Sequence, residues 1–395
     1  MPPIVRKYPN LILTIVLLVA LFLISLGISP LSTITNNGIY AAGYVMMALG
    51  LNIVVGYAGL LDLGYVAFYA IGAYTVGWFA SDFFTPLATK GVHVGASTFA
   101  ATIPGVHLTF LLVVIIAMAL TALAGVIIGL PTLRLRGDYI AIVTLAFGEI
   151  VYRFAANGDS INFTKPLHQI TFGLIGETSG VKLTNGRQAI SPTDQLKIPG
   201  LSEFDSATNL RPYFWVGLVM VALALFINFR LRDSRQGRAW VAIREDEVAA
   251  ASMGVPLVKT KLMAYATGGA LGGAAGAFLG TYANSVQANV FQFGFSIFIL
   301  AMVILGGLGS IWGVVIGAVS LSFLNTYFIP EVINTFPSKV GLNFDLTTVN
   351  FGIFGFVIVL VMVLRPEGIL PERRRKLELT EGIGVDDATF EVNAP

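Results

Sequence analysis

Cysteine is absent from all 395 residues. No disulfide framework, thiol nucleophile or cysteine metal cluster is therefore open to this chain. Charge is scarce as well: 24 Lys and Arg with 22 Asp and Glu make up 12% of the sequence, against roughly 25% in an ordinary soluble protein. The net charge of +2 is too small to imply an anionic partner. The three histidines, His93, His107 and His168, are scattered through polar or interfacial stretches, which argues against a histidine metal site. No G-x4-G-K-[ST] phosphate loop occurs, so the chain does not cradle ATP by that route. Also missing is the set of intramembrane acids and histidines that proton-coupled pumps use.

The placement of the charges excludes more than their number. From Tyr8 to Ser81 the only charge is Asp62, and from Leu262 to Pro330 there is none. Globular surfaces need their Lys, Glu, Arg and Asp, so a soluble enzyme, a nucleic-acid binder and a secreted scaffold are poor readings. What is present instead is 55% hydrophobic residues and 43 glycines. The chain reads as an all-α polytopic membrane protein. A bilayer core of about 30 Å needs about 20 apolar helical residues. Ten runs serve: Leu11–Ser29, Gly38–Gly56, Tyr65–Ser81, Leu108–Leu130, Tyr139–Phe154, Tyr213–Phe229, Leu262–Ala283, Phe293–Leu305, Trp312–Phe328 and Val349–Leu364. The first is longer than a usual signal-peptide core and has no small-residue cleavage site after it, so it reads as a retained span. With the N-terminus inside, 16 of the 24 Lys and Arg fall in cytoplasmic loops, and ten spans return the C-terminus to the same side. A transmembrane domain thus covers 1–372, with an external loop at 155–212 and a cytoplasmic insert at 230–261. The tail 373–395 is acidic towards its end and is expected to be disordered.

Two spans are interrupted by glycine. VVGYAGLLDLG (Val54–Gly64) and ILGGLGSIWG (Ile304–Gly313) each end one apolar run and open another with too little loop between. Irregular backbone survives at membrane depth only where protein or a water-filled path satisfies it. Such breaks in corresponding halves point to re-entrant segments and a transport pathway. Candidate pathway residues are Asn52, Gly56, Gly59, Asp62, Gly64, Tyr65, Tyr69, Gly306 and Gly309, with Tyr44 a softer one. Asp62 is either such a contact or a cap for the apolar run that follows it. Glu149 is best read as the structural partner of Arg153, four residues on along one helix face. GGALGGAAGAFLG (Gly268–Gly280) is different, because its small residues keep helical spacing through one unbroken span. Close helix packing is the favoured reading there, and substrate lining the lesser one.

Eleven charges gather between Phe229 and Leu262. Within that insert Ala239–Met253 is a good helix former, stopped by Gly254 and Pro256. It is too short and too charged to span, so it should lie across the cytoplasmic face as a connector or a docking helix. In the docking reading Ala249–Ala251 allow close approach, while Arg244, Glu245, Asp246 and Glu247 offer charges to a partner groove.

REDEVAAASMG (Arg244–Gly254) resembles the coupling segment of ABC importer permeases. Its surroundings are similar to the branched-chain amino-acid permease family, in its LivM-type branch. The matching stretches are Gly50–Gly77, Leu130–Ile150, Lys259–Gly280, Val303–Ala318 and LRPEGILP (Leu364–Pro371), in the family's order. One departure is LTNGRQAI (Leu183–Ile190), where the family usually has a TGGPNGI-like stretch. The resemblance implies a multi-subunit importer in a bacterial or archaeal cell membrane. A second, LivH-type permease, two cytoplasmic ATPases of the LivG and LivF type and an external solute-binding protein would be its partners. This chain would be no enzyme and hold no cofactor, ATP and magnesium being bound by the ATPases. Arg244, Glu245, Asp246, Glu247, Ala250, Ala251 and Gly254 would form the coupling site. Three other readings stay open: urea or short amides as cargo, a stand-alone channel or ion-coupled carrier, and an integral membrane enzyme.

Overall fold

The computed structural model describes residues 9–84, 92–94, 105–132, 135, 137–159, 182–197, 204, 206–333 and 368–370, with isolated positions between 352 and 363. Eleven α-helices carry most of it: α1 (Pro9–Gly27), α2 (Thr33–Leu51), α3 (Val66–Phe79), α4 (Phe110–Thr132), α5 (Asp138–Asn157), α6 (Arg211–Asp233), α7 (Arg235–Glu245), α8 (Glu247–Ser252), α9 (Leu257–Tyr282), α10 (Phe293–Gly306) and α11 (Ile311–Phe323). Two π-helical stretches, Asn52–Tyr57 and Leu324–Ile333, prolong α2 and α11. Six helices among the described residues are long and apolar enough to cross a membrane. The protein is thus a mostly helical, multi-pass membrane protein. Nine of the ten expected spans coincide with helices; Val349–Leu364 and the tail 373–395 lie largely or wholly outside the described residues.

The all-helical expectation needs one amendment. Between α3 and α4 lies a small sheet in the order β1-β3-β2, made of Ala80–Ser81, Val92–Val94 and Val106–Leu108. β1 runs antiparallel and β2 parallel to β3. Valines alternate there with histidine in a stretch too polar to enter a bilayer, so it pairs edges instead. The sheet also corrects the scattering expected of the histidines. His93 and His107 face each other across β2 and β3, their rings parallel with centroids 5.2 Å apart.

The bundle is organised around α9, whose glycine face is the seam. A Cβ added to Gly276 would lie 2.3 Å from the Tyr69 carbonyl of α3, one at Gly268 would lie 2.8 Å from the Gly50 carbonyl of α2, and one at Gly273 would strike Thr121 of α4. Neighbouring helices answer in kind, since Gly72 and Gly125 could carry no side chain against the α9 backbone. Lipid tails are as apolar as leucine, so helices in a membrane associate through this kind of close van der Waals packing. The packing reading of Gly268–Gly280 is borne out. α1 sits at the margin, held by Phe22 against Trp215 of α6 and by the Trp215 indole donating to Ser25 Oγ at 2.9 Å. The Arg211 guanidinium donates to the Leu26 and Ile28 carbonyls, a cation on the orphan carbonyls of a helix end.

Two opposite ends of the bundle are tied in different ways. At one end, described parts of the 155–212 loop bridge several helices: Trp78 Nε1 donates to the Leu183 carbonyl at 2.8 Å, Ile190 pairs with Val286, and Tyr213 Oη bonds Gln195. His107 joins them through Nδ1, 2.8 Å from an Asp194 oxygen. Burial raises the Asp194 carboxyl above its ordinary range and the adjoining His107 offsets part of that. The other end gathers both glycine breaks and the charged insert.

Candidate functional site

The first break begins as a change of helix type. After Leu51 the backbone widens into the π-helical turn Asn52–Tyr57, then runs irregularly to α3. Such wide turns recur at functional sites. Asn52 is fully buried, and its Oδ1 accepts the Gly309 N–H at 2.9 Å. Gly309 belongs to the second break, so one side chain joins the two. A Cβ on Gly56 would fall 2.1 Å from Asn52 Oδ1 and 2.7 Å from the Gly309 nitrogen, so only glycine leaves room for that bond. The second break is the turn Gly307–Ser310 between α10 and α11, with Gly307 at φ +111° and Gly309 at φ +84°. Its far side is closed by the C-terminal motif: Ile369 N–H donates to the Leu305 carbonyl and Leu370 N–H to Gly306, at 2.9 and 3.1 Å. LRPEGILP thus satisfies carbonyls at the end of α10, a role its sequence did not announce.

The rest of the first break is seated on other helices. Asp62 is 2% exposed. It does not cap α3 as one reading expected, but accepts the Gly64 N–H through Oδ1 at 2.8 Å. Its Oδ2 has no hydrogen-bond partner among the described residues. The cap on α3 comes instead from Ser296 of α10, whose Oγ accepts the Val66 N–H at 3.1 Å. Thr144 of α5 accepts the Leu63 N–H at 3.0 Å, and a Cβ on Gly64 would meet the Thr144 carbonyl at 1.9 Å. Tyr65 donates to the Gly268 carbonyl at 2.7 Å, while Tyr69 stacks on Phe295. Tyr44 lies edge-on to Phe298. Gly306 meets Gly313 backbone to backbone. Every candidate pathway residue except Gly59 is buried within this one chain.

The charged insert differs from expectation in two ways. The single helix Ala239–Met253 is instead two, α7 and α8, broken at Asp246. An aspartate next to a helix start competes as a cap, and Asp246 Oδ1 takes the Val248 and Ala249 N–H groups at 2.8 and 3.0 Å. The stop holds as read: Gly254 sits at φ +83° and Val255 N–H returns to the Ala250 carbonyl. Arg244 and Glu247, secondly, turn inward. Arg244 Nη1 donates to the Gly56 carbonyl at 2.7 Å, while Nη2 holds Glu245 at 2.8 Å. Glu247 accepts from the buried Lys261 Nζ of α9 at 2.7 Å. Trp240, fully buried, donates to the Thr260 carbonyl at 2.8 Å, and burying such a side chain stabilises this seat by about 2–3 kcal/mol. Beside the exposed Glu245, Asp246 and Ser252, four apolar residues face out: Val248, Ala249, Ala251 and Met253, the last 86% exposed. Ala250 packs inward. Glu149 and Arg153, elsewhere on α5, form the expected i,i+4 pair at 2.6 Å on an open surface.

Residues 33–364 match the family model described as the permease component of the branched-chain amino acid transport system. The chain belongs to that family. It is similar to the high-affinity branched-chain amino acid transport system permease protein LivM of Escherichia coli K12, 35% identical over 91% of this chain and 74% of the relative. A probable LivM of Methanocaldococcus jannaschii is 25% identical over 84% of the chain and 91% of its own length. The LivH permease of E. coli K12 is 30% identical over 48% of this chain and 58% of its own. No solved structure matches. Within this permease family member, sequence reasoning missed Thr144, Ser296, Lys261 and Gly368–Leu370. Both Lys261 and the C-terminal motif lie in stretches that resemble the family, but what they touch is distant in sequence.

Proposed function

We propose that this chain is the LivM-type permease subunit of an ATP-driven importer, moving branched-chain amino acids across the cell membrane of a bacterium or archaeon. In this reading ten spans leave both termini in the cytoplasm. A LivH-type permease stands beside it, two ATPases bind ATP and magnesium beneath it, and a solute-binding protein delivers cargo from outside. Membership of the family over residues 33–364 supports the reading. So does the gathering of Arg244, both glycine breaks and Leu370 at one end of the bundle, which agrees with the side that the Lys and Arg distribution assigns to the cytoplasm.

The observation that carries it is the α7–α8 insert. Arg244 and Glu247 are bonded to its own chain, while Val248, Ala249, Ala251 and Met253 lie uncovered beside the exposed Glu245 and Asp246. A short helix that is firmly seated below and apolar above is suited to lie in a partner's groove. Arg244, Glu245, Asp246, Glu247, Ala250 and Gly254 build the seat and stop of that coupling helix, and Ala251 belongs to its outer face. Asn52, Gly56, Gly59, Asp62, Gly64, Tyr65, Tyr69, Gly306 and Gly309 form the joints that shape the pathway, with cargo passing at the boundary with the second permease. Met253→Asp tests this. Uptake of a branched-chain amino acid should fall about tenfold, the effect of 1.4 kcal/mol at one step, with the subunit at its normal level in the membrane. Unchanged uptake would overturn the coupling role.

A further inference from the structure

Arg244 sits where three things meet. Its guanidinium donates to the Gly56 carbonyl at 2.7 Å, inside the π-helical turn. Its aliphatic stem lies against Gly59, where a Cβ would stand 2.6 Å from Arg244 Cγ and where φ is +68°. Its remaining donors, Nε and Nη2, are both taken by Glu245 Oε1 at 3.2 and 2.8 Å. A planar fork held on two sides is fixed in direction, as a lysine ammonium would not be. The same π-helical turn starts at Asn52, which accepts the Gly309 N–H at 2.9 Å. Asn52 Nδ2 is buried without a partner among the described residues, so the side chain is held by that one bond. The second break is gripped from its other side by Ile369 and Leu370. Four segments remote in sequence are thereby linked in series by short polar contacts: the insert, the π turn, the α10–α11 turn and the C-terminal motif.

The π-helical turn interrupts the regular ladder of the helix it prolongs, and such turns recur at functional sites. Displacement of Arg244 would reach residues 52–57 directly through the Gly56 carbonyl, and the second break through Asn52. We propose that Arg244 is a positioning residue that carries movement of the coupling segment into both glycine breaks at once, through Gly56 and Asn52. The inference rests on the coupling reading given above.

The test uses the whole transporter in proteoliposomes, with both permeases, the ATPases and the solute-binding protein. Uptake and ATP hydrolysis are measured on the same preparation. Arg244→Met keeps the stem against Gly59 and removes the fork. Uptake should drop about tenfold while hydrolysis stays within about twofold of the parent, that is, the two become uncoupled. Arg244→Lys, which keeps a donor for Gly56 but not the bidentate hold on Glu245, should recover part of the uptake. Equal loss of uptake and hydrolysis in an assembled complex would overturn the proposal, because Arg244 would then only hold the ATPase. Unchanged uptake would overturn it as well. If Arg244→Met does not assemble, Asn52→Leu cuts the next joint and is judged by the same split. Met253→Asp keeps the two claims apart: if it leaves uptake and hydrolysis intact the coupling reading fails, whatever Arg244→Met does.

Discussion

Two glycine-rich regions of this chain use the same residue for opposite ends. Along α9 the glycines are ordinary helical residues, and none of those from Gly268 to Gly280 has a positive φ. They let the backbones of α2, α3 and α4 close to contact distance. In the breaks, Gly59, Gly307 and Gly309 all take left-handed backbone, and polar side chains reach between them. One region is a seam and the other a joint. Glycine density does not distinguish them; spacing and backbone sign each do so in part, since Gly56, Gly64, Gly306 and Gly313 of the breaks have no positive φ.

Substitutions at three positions would sharpen that contrast. Gly276→Leu should be the most severe. Even its Cβ would fall 2.3 Å from the Tyr69 carbonyl, a backbone atom that cannot turn aside. A cost of about 3 kcal/mol or more follows from overpacking of this kind, and folded subunit recovered from detergent should fall sharply. Gly59→Ala should spare the fold and strike function. Its φ of +68° costs about 1–2 kcal/mol with a Cβ present, and that Cβ meets the Arg244 stem first, Cγ at 2.6 Å, ahead of the Arg244 Cα at 3.3 Å. The subunit should reach the membrane near its normal level while uptake falls several-fold. Gly254 gives the smallest effect, since it needs left-handed backbone but has nothing within 4 Å of an added Cβ. Gly254→Ala should cost about 1 kcal/mol and Gly254→Asn less, because asparagine tolerates that region. Thermal unfolding of the purified subunit would rank them. A Gly276→Leu variant as stable as Gly254→Asn would erase the distinction between seam and joint.

Much of this was legible in the order of residues, and the limits are physical. Long apolar runs, all but one of them free of charge, placed nine helices, because such runs have few alternatives in a membrane. The stop at Gly254 and Pro256 and the Glu149–Arg153 pair were equally local and came out as read. The split at Asp246 was local too, yet a stretch of good helix formers hid it; the capping preference of one aspartate prevailed over the propensity of its neighbours. The inward turn of Arg244 and Glu247 was beyond reach, since their partners Gly56 and Lys261 come from other helices. So was Ser296 as the cap of α3, 230 residues away. The valine–histidine stretches gave no period long enough to announce a sheet of two- and three-residue strands.

One buried contact sets a bound on how the insert moves. Lys261 is 3% exposed at the start of α9, and its carboxylate partner Glu247 comes from the movable α8. Drawing α8 away strips a desolvated cation of its counter-ion, an event that costs about 3–5 kcal/mol when nothing replaces it. In the coupling reading proposed above, the pair would act as a return spring: it would tolerate sliding that keeps the charges together and resist lifting that parts them.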